Sequence, residues 1–214
     1  MFPDLTRDDV YRLETARLWL RWPRVSDARA IQTLAGEKAV AIMTARIPHP
    51  YPADLAETYI FNTREQNTKG TSLGLVVTLK GSGDVIGVTS LEASCDGRAE
   101  LGYWIGKPFW GKGYATEAAQ ALIDTAFTWS DMAAIVTNAM LSNAQSRHVL
   151  EKCGFQYEGL SLCKAPARGG SVHADNFLLP RRIWASLKGW RAPVVHGLRI
   201  DVDVATTQTE QVSA

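Results

Sequence analysis

The sequence predicts a single α/β domain in which helices pack on a mixed sheet. Two patterns predict this class. In some segments apolar and polar residues alternate, as in strands. Between them lie segments in which apolar residues recur every three or four positions, as in amphipathic helices. The 214 residues are 46% hydrophobic, which suffices to bury one full core and requires no second domain.

The amino-terminal part predicts one strand followed by two helices. Residues 13–21 alternate in polarity, as expected of a strand. Ser26 is placed to cap a short helix over residues 27–35. The three prolines within residues 47–52 predict a connecting loop, because proline lacks a backbone donor, and a second helix is expected from about Ala53.

The central part predicts antiparallel strands. Residues 73–79 and 85–93 are rich in β-branched and other apolar side chains, and the glycine-containing turn at 81–84 joins them into a hairpin. A further turn then leads into a strand over residues 99–105.

The carboxyl-terminal half alternates helices and strands. Residues 114–129 carry apolar side chains at helical spacing and form the clearest helix of the sequence. A strand is expected over 133–140 and a helix over 144–153, which Gly154 ends. The last core strands are predicted over residues 155–163 and 173–182, the order completing a mixed sheet packed by helices.

The final residues differ in composition from the rest. We therefore expect one domain over residues 1–190 and an extension over residues 191–214. Within the extension, residues 198–204 alternate in polarity and predict an extra edge strand or a dimer contact. The Thr/Gln/Ser-rich end is expected to be disordered.

Composition excludes several classes of function. The formal charge of +1 provides no basic surplus to neutralise a nucleic-acid backbone. Cys95, Cys153 and Cys163 lack the close spacing of a zinc or redox pair, which indicates reduced thiols and no metal site. The amino terminus is acidic and no apolar run reaches bilayer length, so we expect a cytoplasmic protein without a membrane partner.

Residues 99–118 carry the strongest functional signal, a strand followed by a glycine-containing loop and a helix. Gly111 and Gly113 allow a tight turn and a close approach of the backbone to a ligand. The helix that follows offers unpaired N–H groups and the positive end of its dipole. Such an arrangement binds phosphate oxygens.

Two other interpretations of this loop compete. Residues 106–113 match the P-loop pattern GxxxxGK[ST] except at the last position, where Gly113 replaces the hydroxyl residue that holds magnesium. Pro108 and Trp110 also fit poorly in a loop that wraps a phosphate with successive N–H groups. The third interpretation is a merely tight strand-to-helix connection without a ligand.

The sequence resembles the GCN5-related N-acetyltransferase (GNAT) superfamily, in particular its RimJ/RimL-type branch. Trp110-Gly-Lys-Gly-Tyr-Ala115 occupies the family's [Q/R]-x-x-G-x-[A/G] pyrophosphate loop, with Trp110 in place of Gln or Arg. Asn143 to Phe155 is similar to the family's NxxSxxxxxKxGF segment. The resemblance covers about residues 13–184. It implies a mostly antiparallel sheet of about six or seven strands, flanked by about four helices and splayed at the coenzyme site.

The resemblance also implies acetyl-CoA as co-substrate. Backbone groups of the strand would pair with pantetheine, and N–H groups of the loop and helix would hold the pyrophosphate. Asn143 would contact the coenzyme, cap the next helix, or do both. The coenzyme-binding residues implied in this way are Tyr103, Trp104, Ile105, Trp110, Gly111, Lys112, Gly113, Tyr114, Ala115, Thr116 and Asn143.

Acetyl transfer to an amine requires a base and an acid. The acceptor nitrogen must be neutral, and Glu100, on the strand beside the expected thioester, is the candidate base. The tyrosine that many family members use as general acid is replaced by Leu150. The resemblance to the RimJ/RimL branch implies Ser146 in that role, with Tyr114 and Tyr157 as less favoured alternatives.

These observations predict direct acetyl transfer from acetyl-CoA to a primary amine in a ternary complex. The acceptor is a protein N-terminus or a small-molecule amine, and the protein is a monomer or a homodimer. The absence of the usual tyrosine leaves an alternative, a non-catalytic acyl-CoA-binding or regulatory protein on the same fold.

Overall fold

The computed structural model describes residues 2–94, 96–187 and 194–196, and nine strands in this part of the chain form one sheet. Their order across the sheet is β7-β8-β6-β5-β4-β3-β2-β1-β9. The strands are β1 (Arg12–Glu14), β2 (Leu18–Arg21), β3 (Ser72–Leu79), β4 (Val85–Ala93), β5 (Arg98–Ile105), β6 (Ala134–Met140), β7 (Gln156–Ala165), β8 (Gly170–Pro180) and β9 (Val194–His196).

Six α-helices accompany the sheet within the described residues. They are α1 (Ala28–Ala35), α2 (Lys38–Ala41), α3 (Leu55–Lys69), α4 (Tyr114–Trp129), α5 (Ala144–Lys152) and α6 (Arg181–Ser186). The longest is α4, whose bounds are those that the apolar periodicity predicts.

The predicted α/β class with a mostly antiparallel sheet is confirmed. Neighbouring strands are antiparallel except for β5 and β6, which run parallel because α4 crosses over between them. The described strands number nine, more than the six or seven expected. One reason is that residues 13–21 form two strands, joined by a turn in which the Thr15 N–H donates to the Leu18 carbonyl over 3.0 Å.

The other additional strand is β9, which pairs with β1 and was not predicted. The strand expected over residues 198–204 lies outside the described residues. The last predicted core strand ends at Pro180 rather than at residue 182, because α6 begins at Arg181.

The first helix begins differently from the prediction. Ser26 does not cap it: a short 3-10 helix, Val25–Asp27, precedes α1, and Asp27 occupies the cap position. The Asp27 carboxylate accepts hydrogen bonds from Arg21 and from the Arg24 backbone N–H. A buried charge is stable only when it is paired, and Arg21 supplies that pairing across 2.8 Å.

The two faces of the sheet pack against different helices. On one face, α4 buries a large apolar cluster that includes Leu101 and Leu122. On the other face, α1 and α3 cover a smaller cluster built around Val76 and Val88, against which Trp104 packs. Because residues of a strand alternate between faces, Tyr103 lies on the α4 face and Glu100 on the α1 face.

The sheet opens between its two parallel strands. The pairing of β5 with β6 stops at Glu100 and Val136, although β5 continues to Ile105 and β6 to Met140. The predicted splay is therefore present at the predicted strand, and every feature of the candidate site lies around it.

Candidate active site

The backbone of β5 is available beyond the last pair with β6. Leu101 points its carbonyl toward β6, where the Thr137 hydroxyl donates to it over 2.8 Å. Alternate residues of a strand present their backbone groups to the same side, so Tyr103 and Ile105 also face the opening. The indole of Trp110 donates to the Ile105 carbonyl over 2.5 Å. Within the described residues this leaves the N–H and C=O of Tyr103 and the N–H of Ile105 as free groups at this edge.

The glycine-containing loop follows β5 directly. It begins with a 3-10 helix, Lys107–Phe109, and Lys112 closes back on this turn by donating to the Pro108 carbonyl over 3.1 Å. Gly111 and Gly113 have φ of 74° and 79°, a left-handed conformation that favours glycine. The two glycines therefore have a conformational reason to be there, as the sequence predicted.

The amino terminus of α4 emerges from this loop. Gly113 is its N-cap and makes no side-chain cap, and Tyr114, Ala115 and Thr116 form the first turn. The N–H groups of a first turn have no partner within the helix, and the helix dipole adds positive potential there. This end of α4 is suited to bind a pyrophosphate, as the sequence predicted for residues 111–116.

A clamp that the sequence did not predict holds the loop in place. The Arg17 guanidinium contacts one oxygen of Glu117, Oε2, through both Nε and Nη2 at 2.7 Å, and it also donates to the Lys112 carbonyl over 2.8 Å. Thr15 donates to the same carboxylate over 2.6 Å. The Arg17 guanidinium lies 4.5 Å from the ring centroid of Tyr114.

The hydrogen bonds of the clamp change the pKa of Glu117. Burial raises the pKa of Glu117, but hydrogen bonds from Thr15 and Arg17 outweigh it and leave this pKa below its ordinary value. The residues lie 100 positions apart in sequence. The sequence offered two signals for this clamp, a Thr-x-Arg at the β1–β2 turn and a glutamate in the first turn of α4. Nothing in the sequence shows that these residues pair with each other.

Ser146 contacts the opening through Tyr103. The Tyr103 hydroxyl lies 2.9 Å from the Ser146 hydroxyl and 3.2 Å from the Ser146 carbonyl oxygen. Burial is the main cause that raises the pKa of Tyr103, which therefore stays protonated. The sequence placed Tyr103 at the coenzyme through its backbone alone and missed this side-chain contact.

Asn143 caps α5, which is one of the two roles predicted for it. Its side-chain oxygen accepts from the Ser146 N–H over 3.1 Å. Its amide nitrogen donates to the Met43 carbonyl over 3.3 Å. The cap fixes the start of α5 and hence the position of Ser146; contact of Asn143 with the coenzyme stays a prediction.

Glu100 is exposed on the opposite face of the sheet from Tyr103. Its cross-strand partner is Glu92, and Arg46 forms a bidentate pair with Glu92 at 2.5 and 3.2 Å. The hydrogen bond to Glu92, with a weaker contribution from Glu100, raises the pKa of Arg46. Within the described residues the Glu100 carboxylate has no hydrogen bond or ion pair of its own.

Residues 43–47 lie near the face of the sheet that carries Glu100. The carbonyl of Ala45 accepts from the Ala167 N–H over 3.1 Å, and the carbonyl of Ile47 accepts from Arg168. Together with the bond from Asn143, these contacts tie the segment to α5 and to the turn between β7 and β8. Because Arg46 of this segment pairs with Glu92, the cross-strand partner of Glu100, residues 43–47 lie close to Glu100.

The alternative acids lie elsewhere. Tyr114 stacks under Arg17 in the first turn of α4. Tyr157 is 52% exposed on β7 and contacts Phe177 and Arg147. Leu150, at the position where the family often has tyrosine, is fully buried. Ser146 is thus the hydroxyl among these candidates that faces Tyr103 at the opening.

The described residues contain no metal centre and no spanning helix. No cluster of three or more His, Cys, Asp or Glu side chains in residues 2–94, 96–187 and 194–196 has the arrangement of a metal site. None of the helices in those ranges combines the length and apolar character needed to cross a bilayer. Two surface grooves of about 510 and 340 Å³ border α3 near Phe61 and Arg64, away from the opening.

An open sheet between parallel strands, a glycine loop and an exposed helix amino terminus define an acyltransferase that binds coenzyme A. The family model for the acetyltransferase (GNAT) domain matches residues 17–156. The chain therefore belongs to the GNAT family, and it is an acetyl-CoA-dependent N-acetyltransferase. The resemblance that the sequence motifs indicated is confirmed.

Individual relatives agree with this assignment. The chain is 30% identical over 175 residues to the uncharacterized N-acetyltransferase p20 of Bacillus licheniformis, which covers 81% of this chain and 98% of the relative. Mycobacterium smegmatis RimJ in complex with CoA-disulfide superimposes with a TM-score of 0.69 at 21% identity, covering 84% and 90% of the two chains. Spermidine N-acetyltransferase from Vibrio cholerae, with CoA and spermine, gives a TM-score of 0.67 at 20% identity, covering 80% and 99%.

Proposed function

We propose that the protein transfers the acetyl group directly to a primary amine, either a protein N-terminus or a small-molecule amine, in a ternary complex with acetyl-CoA. The observation that carries the proposal is the opening between β5 and β6, which has Glu100 on one face and the Tyr103–Ser146 pair on the other. A donor and an acceptor that enter from opposite faces would meet there without a covalent enzyme intermediate.

The coenzyme would enter on the side of the glycine loop. The free backbone groups of Tyr103 would pair with the pantetheine amides, as an added strand does. The N–H groups from Gly111 to Thr116 would hold the pyrophosphate at the helix amino terminus. The clamp formed by Arg17 and Glu117 would keep these N–H groups in their binding arrangement.

Glu100 would act as the general base. An alkylammonium acceptor is not nucleophilic until it loses a proton. The exposed carboxylate of Glu100 lies beside the opening, and no side chain among the described residues pairs with it. Arg46 and Glu92, its neighbours on this face, pair with each other. A positively charged acceptor would therefore meet the unpaired carboxylate of Glu100.

Ser146 would serve the leaving group. When the nitrogen attacks the thioester carbon, the C–N bond forms, the C–S bond breaks, and the electron pair moves to sulfur. A thiol is a much stronger acid than an aliphatic alcohol, so Ser146 would stabilise the thiolate by donating a hydrogen bond rather than by losing its proton outright. If Tyr103 donates to the Ser146 oxygen, the single Ser146 proton is left to point at the sulfur.

The experiment is an assay of coenzyme A release from acetyl-CoA with a panel of amines and a thiol-detecting reagent. We expect release with at least one primary amine, and initial rates that fit an intersecting rather than a parallel pattern when both substrates vary. Glu100→Gln should lower kcat/KM at least tenfold, and Glu65→Gln, a surface control on α3, should not change it. A parallel pattern, or full activity in Glu100→Gln, would contradict the proposal.

A further inference from the structure

Two carboxylates lie side by side on the face of the sheet that carries Glu100. Glu92 of β4 is the cross-strand partner of Glu100 on β5. Directly opposite residues of antiparallel strands have Cβ atoms about 4.5 to 5.5 Å apart, and like charges in that arrangement repel each other. The two carboxylates therefore attract positive charge, either from the protein or from a bound acceptor.

The protein itself supplies one cation to this pair. The Arg46 guanidinium donates to both carboxylate oxygens of Glu92, over 2.5 and 3.2 Å. The pKa of Arg46 is raised mainly by this hydrogen bond and further by the charges of Glu92 and Glu100, so both carboxylates act on the same guanidinium. With Arg46 in place the two carboxylates leave one net negative charge, and without Arg46 they would leave two.

The backbone is anchored on both sides of Arg46. The carbonyl of Ala45 accepts from the Ala167 N–H over 3.1 Å. The carbonyl of Ile47 accepts from the Arg168 guanidinium. An exposed ion pair on a loose loop requires ordering of the backbone as well as the side chains, which costs conformational entropy. Because the segment is already held at both neighbours of Arg46, only the side chain has to be ordered for the ion pair to form.

Arg98, a cation on the same strand as Glu100, does not neutralise it. Arg98 lies two residues before Glu100 on the same face of β5, and it forms an ion pair with Asp96 at 2.5 Å. Within the part of the chain that the structure describes, the Glu100 carboxylate has no ion pair or hydrogen bond. The negative charge that remains for an acceptor is therefore that of Glu100.

We propose that Arg46 determines acceptor specificity by excluding amines that carry a second positive charge close to the reacting nitrogen. The inference rests on the proposed function, in which the acceptor enters on the Glu100 face. One ammonium group at Glu100 balances the remaining charge. A second ammonium group on the same acceptor meets the Arg46 guanidinium at the place where a free Glu92 carboxylate would bind it. The substrate class is a primary amine without a neighbouring cation.

Removing Arg46 should change this specificity in a known direction. Arg46→Ala leaves Glu92 free beside Glu100, so the two carboxylates can bind the two ammonium groups of a diamine. One exposed ion pair changes affinity by up to about fivefold. Gaining such a pair and losing the repulsion from Arg46 should together raise the ratio of kcat/KM for a diamine over a monoamine by about tenfold.

The experiment measures coenzyme A release with two pairs of acceptors, each differing by one ammonium group. The pairs are n-butylamine with 1,4-diaminobutane, and trialanine amide with its analogue that has lysine as the second residue. The parent should prefer the singly charged member by about threefold or more, and Arg46→Ala should show the tenfold shift. Arg46→Lys keeps the positive charge and should keep the preference of the parent. Lys69→Ala, which breaks an exposed ion pair with Glu65 on α3, is the matched control and should not change the ratio.

A double variant separates the charge of Arg46 from its effect on the shape of the loop. Adding Glu92→Gln to Arg46→Ala removes the carboxylate that would bind the second ammonium group, so most of the shift should disappear. If Arg46→Ala acts by displacing residues 43–47, the shift should persist in the double variant. Thermal unfolding of each variant checks that the fold is retained.

The outcomes distinguish this inference from the proposed function. Release of coenzyme A with no amine contradicts the proposed function, and the role of Arg46 falls with it. Release together with an unchanged ratio in Arg46→Ala overturns the role of Arg46 alone. The same conclusion follows from a parent that prefers the doubly charged acceptors, from a shift that persists in the double variant, or from release confined to amines outside both pairs.

Discussion

Replacing Arg17 with alanine tests whether the clamp beside the glycine loop prepares the coenzyme site. The change removes the ion pair of the guanidinium with Glu117, the hydrogen bond to the Lys112 carbonyl and the stacking on Tyr114. Thr15 keeps its own bond to Glu117. The backbone N–H of residue 17 also keeps its bond to Glu117, so the start of α4 stays joined to the β1–β2 turn, while the Lys112 carbonyl of the loop loses its bond to Arg17.

The magnitude follows from these three contacts. Arg17 is 47% exposed, so its ion pair with Glu117 contributes about 1 kcal/mol. The bond to the Lys112 carbonyl contributes about 1 kcal/mol, and the stacking on Tyr114 about 0.5 to 1 kcal/mol. The free energy of unfolding should fall by about 2 to 3 kcal/mol, and Tm by about 4 to 10 °C. If half of this stabilises the loop conformation that binds the coenzyme, acetyl-CoA affinity falls about tenfold.

Calorimetric titration with acetyl-CoA and thermal unfolding measure the two quantities. The KM for acetyl-CoA should rise about tenfold while the KM for the amine stays within about twofold. Arg12→Ala is the matched control, because Arg12 also stacks on an aromatic ring, that of Trp19, on the same sheet but away from the loop. Unchanged coenzyme affinity in Arg17→Ala, or an equal loss in Arg12→Ala, would refute the reasoning.

Three further predictions concern single groups. Tyr103→Phe should lower kcat about tenfold, which is the effect of losing one hydrogen bond, and should leave both KM values unchanged. In a Ser146→Ala background the same change should cause no further loss; additive losses would contradict the coupling of Tyr103 and Ser146. Burial raises the pKa of Cys153 to about 12, so iodoacetamide at pH 8 should label the partly exposed Cys163 but not Cys153, which peptide mapping checks. The pKa of Glu117 is lower in the folded protein than its ordinary value of 4.5, so its ionised form adds stability that is present above pH 4.5 and is lost as pH falls through the lowered pKa. Acetyl-CoA affinity should therefore fall with pH below 4.5 in the parent and not in Glu117→Gln, which titration at a series of pH values measures.

Most of the fold could be predicted because its elements have strong local patterns. The hairpin of β3 and β4 has two apolar strands joined by a glycine turn, and α4 has an uninterrupted apolar stripe. The elements that were missed are short: α2 has four residues, α6 has six and β9 has three. Such elements are specified by their tertiary partners rather than by a local period.

The candidate site divides in the same way. Its backbone part could be predicted, because glycines in a left-handed conformation and a helix cap act within a few residues of chain, as at Gly113 and Asn143. The side-chain contacts of the candidate site could not be predicted. The pairs Arg17 with Glu117 and Tyr103 with Ser146 join residues 100 and 43 positions apart, and one sequence holds no record of which distant residues meet.

The 43–47 segment is anchored at its ends and middle through main-chain carbonyl oxygens, those of Met43, Ala45 and Ile47. Every amino acid supplies such an oxygen, so the anchors survive replacement of the side chains along the segment. On the proposed function, in which the acceptor enters on the Glu100 face, mutation can therefore vary the side chains of residues 43–47 near the acceptor while the coenzyme loop and the Tyr103–Ser146 pair stay as they are. One catalytic frame can in this way be adapted to new amines by changing a single short stretch of chain.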